Sequence, residues 1–183
     1  HNILGFYVAS LAFVVAFTGL FYAFYFIQVI LYVVFSGGNT TYPDFSHIQT
    51  KAPIEIRNEH TLDKIGKKVE ALYPDAFQYS LDFGYEHLDD HEHPNYDVFV
   101  KQLSYSYHVS HSLIFDENSG ELLHQHSHHD KNLGEKAVAA NYDIHIGAIF
   151  GIWSKILALI ISLVCASLPV TGFLIWWGKR NKK

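Results

Sequence analysis

The sequence contains no methionine, a single cysteine and no Asp, Glu, Lys or Arg in residues 1–35. Cys165 has no second cysteine in the chain to pair with, which excludes an intrachain disulfide. Because the chain opens on His1 and an apolar run without a methionine, we interpret it as a piece of a longer polypeptide. A cleaved signal peptide would be another source of an apolar start. However, residues 3–35 are too long for its apolar region and have neither a basic start nor a small-residue cleavage site.

Charge is confined to the middle and the end of the chain. All 18 Asp and Glu lie between Asp44 and Asp143 together with most of the Lys and Arg, and an acidic segment of this kind argues against nucleic-acid binding. The last residues hold basic side chains and no acidic ones. The sequence therefore divides into a first helical span, a soluble domain, a juxtamembrane segment with a second span, and a basic tail. The predicted boundaries are 1–35, 36–140, 141–178 and 179–183.

Two apolar runs are long enough to cross a lipid bilayer. Residues 156–177 have no ionisable side chain except the Cys165 thiol and would form about 33 Å of helix. Trp153 on one side, Trp176 and Trp177 on the other, and the basic tail predict that this helix spans with its end in the cytoplasm. The alternative is a buried helix of a soluble protein, which rarely carries aromatic belts and a basic stop together.

The first run, residues 3–35, would form about 50 Å of helix, which is more than the hydrocarbon layer needs. We therefore expect it to tilt, protrude or bend, with Thr18 and Gly19 as the flexible point. With two spans and a cytoplasmic tail, the start of the chain also lies inside and residues 36–144 lie outside.

The middle of the chain predicts a small α+β domain with one helix packed on an antiparallel sheet. Leu62, Ile65, Val69 and Leu72 recur at helical spacing up to Pro74, which indicates an amphipathic helix. The pattern then alternates as in strands, and the sequence Asp-Glu-Asn-Ser-Gly at 116–120 separates two apolar stretches as in a hairpin. The predicted strands lie within 77–83, 96–103, 113–115 and 121–123.

This domain resembles the PepSY module, with a Tyr-Pro-x-Ala turn at 73–76 and the closing hairpin Phe-Asp-x-x-Ser-Gly-Glu-Leu-Leu at 115–123. The apolar runs resemble those of the PepSY-associated transmembrane family, and this resemblance covers essentially the whole chain. It implies a multi-pass protein of the bacterial inner membrane, of which this chain is the second half, with the PepSY-like domain between the spans. The motifs that carry it are His1-x-x-Leu4-Gly5, Thr18-Gly19, His145-x-Gly147, and Pro169 followed by Thr171-Gly172 and Trp176-Trp177.

In the branch of the family that resembles ferric-siderophore reductases, membrane histidines are axial ligands of b-type haem. The resemblance implies that His145 supplies one ligand of an outer haem and His1 one ligand of an inner haem, with the second ligands on helices outside this chain. It also implies a haem-dependent reductase that passes electrons outward to ferric iron or a ferric siderophore. The alternative for each histidine is an interfacial imidazole that bonds to lipid headgroups or to a neighbouring backbone.

Three polar residues precede His145, and each is a candidate to orient its imidazole. Asn141, Tyr142 or Asp143 would accept the proton of the ring nitrogen that does not face the iron. The alternative is that these residues are simple anchors at the membrane interface.

The soluble domain holds all the histidines except His1 and His145, and two clusters stand out among them. Alternate residues of an extended strand share a face, so one cluster predicts convergence on Zn²⁺ or Cu²⁺, while the carboxylates Asp89, Asp90 and Glu92 near the other suit harder ions. The alternative is a solvated loop whose charge rises on acidification. The predicted metal ligands are His124, His126 and His128 in the first cluster and His87, His91 and His93 in the second.

No nucleophile elbow, zinc-protease helix, phosphate-binding loop or dinucleotide fingerprint occurs in the sequence, which argues against a hydrolase. The same absence supports a second functional hypothesis from another class. In it the chain is a non-catalytic, membrane-anchored PepSY module that binds or inhibits an extracytoplasmic protein such as a peptidase.

Overall fold

The computed structural model describes residues 2–45, 48, 59–82 and 95–180. Within these ranges the chain forms five helices and four strands, and the segment from α3 to β4, with its connecting loops, is called the sheet domain here. The elements in chain order are α1 (Asn2–Ala23), α2 (Tyr25–Phe35), α3 (Glu59–Leu72), β1 (Gln78–Asp82), β2 (Asn95–Lys101), β3 (Ser110–Asp116), β4 (Leu122–His126), α4 (Leu133–His145) and α5 (Ile152–Arg180).

The first apolar run is helical as expected, but it breaks at Phe24 and not at Thr18 and Gly19. Phe24 has extended backbone angles (φ −134°, ψ 108°) and separates α1 from α2. The break frees the carbonyl group of Phe21, and the side chain of Gln28 donates a hydrogen bond to it at 3.1 Å. The expected flexible point at Thr18 and Gly19 is wrong, because α1 continues through both residues to Ala23. The Thr18 hydroxyl bonds to the carbonyls of Val14 and Val15 in the preceding turn.

The four strands form one antiparallel sheet in the order β1-β2-β3-β4. The expected hairpin is confirmed: β3 pairs with β4, and the turn between them starts at Asp116, whose side chain accepts hydrogen bonds from the backbone of Asn118 and Ser119. Gly120 ends the turn with φ +65°, a conformation that a residue with a Cβ rarely adopts. Phe115 pairs with Leu122 next to this turn, and the register shifts by one residue between Phe115 and Ile114.

The hydrophobic core lies between α3 and one face of the sheet. Ile65 and Val69 of the helix are each 1% exposed, and the fully buried strand residues pack beneath them. This is the predicted α+β arrangement of one helix on an antiparallel sheet. The strand residues of the core are Tyr96, Val98, Val100, Leu113 and Phe115.

Helix α4 was not expected from the sequence, and the predicted boundary between residues 140 and 141 falls inside it. Asn132 caps its start, because the Asn132 side chain accepts from the Glu135 N–H while the Glu135 carboxylate accepts from the Asn132 N–H. Gly134 lets α4 approach α2 closely, since a Cβ there would lie 2.6 Å from the carbonyl oxygen of Tyr32. The Asn132 side chain also donates to the Tyr32 hydroxyl at 3.1 Å.

Helices α1 and α5 are both long and apolar enough to cross a membrane, by length and composition. They pack on each other, and a Cβ at Gly5 would lie 3.7 Å from the side chain of Leu168. Ile161 is the one buried residue of α5 among those described, and most of the other apolar side chains of α5 are exposed. A buried helix of a soluble protein would hide these side chains, whereas a bilayer solvates them.

Candidate functional site

The last turn of α4 brings His145 against α1. The Nδ1 atom of His145 lies 3.1 Å from the Thr18 hydroxyl and 3.2 Å from the carbonyl oxygen of Val15. Thr18 lies about 7 Å along the helix axis from the end of α1 at Ala23. An imidazole is therefore held just inside one end of a span, where ionisable groups are costly and mark functional sites.

The hydrogen bonds around Thr18 determine which nitrogen of His145 carries the proton. The Thr18 hydroxyl donates to the carbonyls of Val14 and Val15, at 3.0 and 2.9 Å. Its oxygen is then available only as an acceptor toward the histidine, and the carbonyl of Val15 is an acceptor in any case. Nδ1 must therefore be the donor, which leaves the Nε2 lone pair unprotonated in the neutral ring. Within the described part of the chain, Nε2 has no hydrogen-bond partner.

Small and polar neighbours complete this site. A Cβ at Gly19 would lie 3.3 Å from the Cε1 atom of His145, so glycine leaves room for the ring. The ring of Tyr22 lies 5.5 Å from the His145 ring, and the buried side chain of Asn141 donates to the carbonyl of Thr18 at 3.4 Å. The Thr18-Gly19 and His145-x-Gly147 motifs, far apart in sequence, thus meet in space.

Gly147 closes the turn that follows His145. It has φ +69°, and a Cβ there would lie 2.6 Å from the Cβ of Ala158 and 3.0 Å from the carbonyl oxygen of Ser154. The glycine of the His145-x-Gly147 motif therefore allows the chain to turn from α4 into α5 with the two helices in close contact.

The expectation that Asn141, Tyr142 or Asp143 accepts the second ring proton of His145 was wrong. Val15 and Thr18 take that role. Asp143, two positions before His145, lies about 200° around the helix axis and faces away from it. Asn141 lies on the same face as His145 but bonds to Thr18. The sequence marks Thr18 as part of a motif and as a flexible point, and no local pattern pairs it with a residue 127 positions later.

Asp143 faces the sheet domain. Its side chain is fully buried and accepts from the backbone N–H groups of Tyr107 and His108, at 2.8 to 2.9 Å. The Nδ1 atom of His108 lies 2.8 Å from the same carboxylate. Asp143 thereby joins the loop between β2 and β3 to the last turn of α4.

The predicted metal ligands of the first cluster do not converge. His124 and His126 share one face of β4, with ring centroids 6.5 Å apart, but the strand ends at His126 and His128 lies in the following turn. His126 instead donates from Nε2 to Glu135 of α4 at 2.7 Å. Among the residues that the structure describes, no three His, Cys, Asp or Glu are arranged to hold a metal ion.

Several predicted site residues fall outside the described ranges. They are His1, the proposed ligand of the inner haem, and the second histidine cluster with its neighbouring carboxylates. The cluster consists of His87, His91 and His93 with Asp89, Asp90 and Glu92. Their roles stay predictions.

His111 of β3 is buried and held in its neutral form. Its Nδ1 accepts from the His128 backbone N–H at 3.2 Å and lies 3.0 Å from the Ser127 hydroxyl. Burial first, and then the charge of Lys131, lower the pKa of His111 from 6.5 to about 4. Burial and Lys131 likewise lower the pKa of His128.

Acidification should destabilise the sheet domain through His111. Between pH 6.5 and about 4 the unfolded chain binds a proton that the folded domain does not, so the free energy of unfolding falls as the pH is lowered. The loss from this residue is at most about 3 kcal/mol. His111→Asn, whose side-chain oxygen accepts the same bonds without titrating, should flatten this slope in thermal unfolding of the detergent-solubilised protein. A wild-type slope in the variant would contradict the assignment.

Two apolar helices on either side of an α+β sheet domain define a membrane-anchored sheet module. The family model described as PepSY-associated TM region matches residues 1–179, and the chain belongs to this family of membrane proteins. The match confirms the resemblance to the family as a whole, and membership of the ferric-siderophore reductase branch stays a prediction. Among proteins of curated function, none matches the chain.

Proposed function

We propose that this chain is a module of a PepSY-type membrane protein in which His145 supplies one axial ligand of a b-type haem. The observation that carries the proposal is the Nδ1 atom of His145, held by the Val15 carbonyl and the Thr18 hydroxyl, with the Nε2 lone pair left free. Metal-bound histidines in proteins characteristically donate their other ring N–H to such an acceptor. The whole protein would pass electrons across the membrane to ferric iron or a ferric siderophore.

The residues around His145 fit a haem ligand. The neutral tautomer is the form that binds iron, and Val15 and Thr18 fix the ring plane and raise the basicity of Nε2. When bound, haem would supply one-electron chemistry. The second ligand would come from elsewhere in the full-length polypeptide, as would the partner of His1 at the inner haem.

The proposal places the protein in the bacterial inner membrane with the sheet domain outside. The basic residues Lys179 and Arg180 end α5, while the acidic side chains lie in the sheet domain and its surroundings. A reporter fused after Lys183 should read cytoplasmic, and one inserted at Asp90 should read extracytoplasmic. The opposite pair of signals would reverse every assignment of membrane face.

The absorption spectrum of the purified full-length protein tests the haem proposal directly. After expression with sufficient haem, we expect a Soret band and, on reduction, the sharp visible bands of a low-spin haem with two histidine ligands. A protein that folds, inserts and shows no Soret band would refute the proposal.

A second candidate function has its own structural support. A groove of about 380 Å³ opens between α3 and the strands β1 and β2, and its apolar lining includes Leu62, Ile65, Tyr79, Leu81 and Val98. A non-catalytic module that binds or restrains an extracytoplasmic protein, such as a peptidase, would receive a segment of that protein in a groove of this kind. Loss of the cellular phenotype on deletion of residues 45–130, in a protein whose haem content has no effect, would favour this function.

A further inference from the structure

The last turn of α4 is held on two opposite sides. His145 and Asn141 contact α1 at Thr18, whereas Asp143 lies on the other side of the helix and contacts the loop between β2 and β3. The side chain of Asp143 is 0% exposed, and all the partners it shows belong to Tyr107 and His108 of that loop.

The loop is itself ordered around this carboxylate. His108 contributes both its backbone N–H and its Nδ1 atom, and the Nδ1 atom also lies 2.9 Å from the hydroxyl of the fully buried Ser106. A buried carboxylate requires such donors, because its oxygens have lost their water. Rotation of the last turn of α4 would therefore remove acceptors from two backbone N–H groups at once.

A column of aromatic rings follows the same path from the loop to His145. The ring of Tyr107 packs edge-on against Tyr142 at 5.3 Å, and Tyr142 packs edge-on against Tyr22 at 6.3 Å. Tyr22 in turn lies 5.5 Å from the His145 ring. The sheet domain thus reaches the His145 site through a buried carboxylate and through packed rings.

We infer that Asp143 is a positioning residue that fixes the rotation of the α4 end, and with it the direction of the His145 Nε2 atom. A change in the position of the loop at Tyr107 and His108 would therefore change the direction of the His145 imidazole, because both are attached to the same helical turn. The haem measurements described below rest on the proposed function. The claim about the direction of the Nε2 atom concerns His145 itself and does not require haem.

Three variants of the full-length protein test this inference. Asp143→Ala removes the acceptor and should weaken haem affinity roughly 10- to 100-fold, as loss of a group that orients a metal ligand does. Asp143→Asn keeps one acceptor oxygen and should restore part of that affinity. Glu135→Ala is the matched control, since Glu135 is also a buried carboxylate of α4 bonded to a histidine of the sheet domain, but at the other end of the helix. It should leave the affinity unchanged.

The readouts are haem titration, the reduced visible spectrum and the midpoint potential, together with ¹⁵N spectra of labelled histidine in haem-free protein. The His145 signal, assigned by comparison with His145→Ala, should report Nδ1 protonated in the wild type and should change in Asp143→Ala. Wild-type affinity and spectra in Asp143→Ala would overturn the inference, as would an equal loss in Glu135→Ala. If Asp143→Ala does not insert into the membrane, the same measurements on Asp143→Asn decide whether Asp143 positions His145.

The two claims fail in different ways. If the wild-type protein binds no haem, the proposed function fails, and the ¹⁵N spectra alone decide the role of Asp143. An unchanged His145 signal in both Asp143 variants would then refute the positioning role.

Discussion

His145→Ala should remove most of the haem absorbance of the full-length protein. The substitution deletes an axial ligand that no neighbour replaces, since Ile144 and Ile146 are apolar and Asp143 is turned toward the sheet domain. The loss of the hydrogen bonds from Nδ1 costs only about 0.5–1.5 kcal/mol each, so the variant should still fold and insert. The measurement is the ratio of Soret absorbance to protein, alongside the level of protein in the membrane.

His126→Ala is the matched control for this experiment. His126 also bonds to a residue of α4, but at the start of that helix and outside the spans. We expect it, like His87→Ala, to leave the haem absorbance unchanged. A His145 variant with full haem and an unaltered reduced spectrum would show that this histidine is an interfacial anchor and not a ligand.

Gly147→Ala should destabilise the protein by about 2–4 kcal/mol, because it combines a left-handed backbone conformation with an overpacked contact. Gly147 has φ +69°, and the added Cβ would lie 2.6 Å from the Cβ of Ala158. At this chain length, each 1 kcal/mol lowers the melting temperature by about 2–4 °C. Thermal unfolding of the detergent-solubilised protein measures the change.

Alanine at Gly66 should have the opposite effect and increase the stability of the protein. Gly66 lies within α3, and nothing lies within 4 Å of the position its Cβ would take. Alanine there should stabilise α3 by about 1 kcal/mol, since glycine is a poor helix former. Equal melting temperatures for the two variants would contradict the close α4–α5 contact at Gly147.

The elements that sequence reasoning found are those with a local physical cause. The second span follows from a long run without charge, α3 follows from apolar residues at helical spacing, and the β3–β4 hairpin follows from turn residues at 116–120. Each of these signals lies within the element itself. They were sufficient to predict the fold class, although the strand ends were displaced by a few residues.

Helix α4 had a local signal that was overlooked. Asn132 and Glu135 are spaced as a capping box, which marks a helix start even where the following residues are only weakly amphipathic. The break at Phe24 had no such signal, because neither glycine nor proline occurs there and the substitute donor, Gln28, lies in the next helix.

The candidate site was predictable only as a set of separate residues. His145 was identified by its position at the end of a span, and Thr18 and Gly19 by their motif, but their contact joins residues more than a hundred positions apart. The role of Asp143 could not be read from the sequence either, because it depends on α4 being helical and on the sheet domain lying against its far side.

The break at Phe24 has a consequence for how the first span sits in the bilayer. Helix α4 binds α2 through Gly134 and Asn132 on one side of the break, and binds α1 through Asn141 and His145 on the other. Because α4 contacts both helices across the break, it holds α1 and α2 at a fixed angle to each other. Helix α1 therefore cannot tilt alone to match a thicker or thinner membrane. A change in the tilt of α1 would also move the sheet domain.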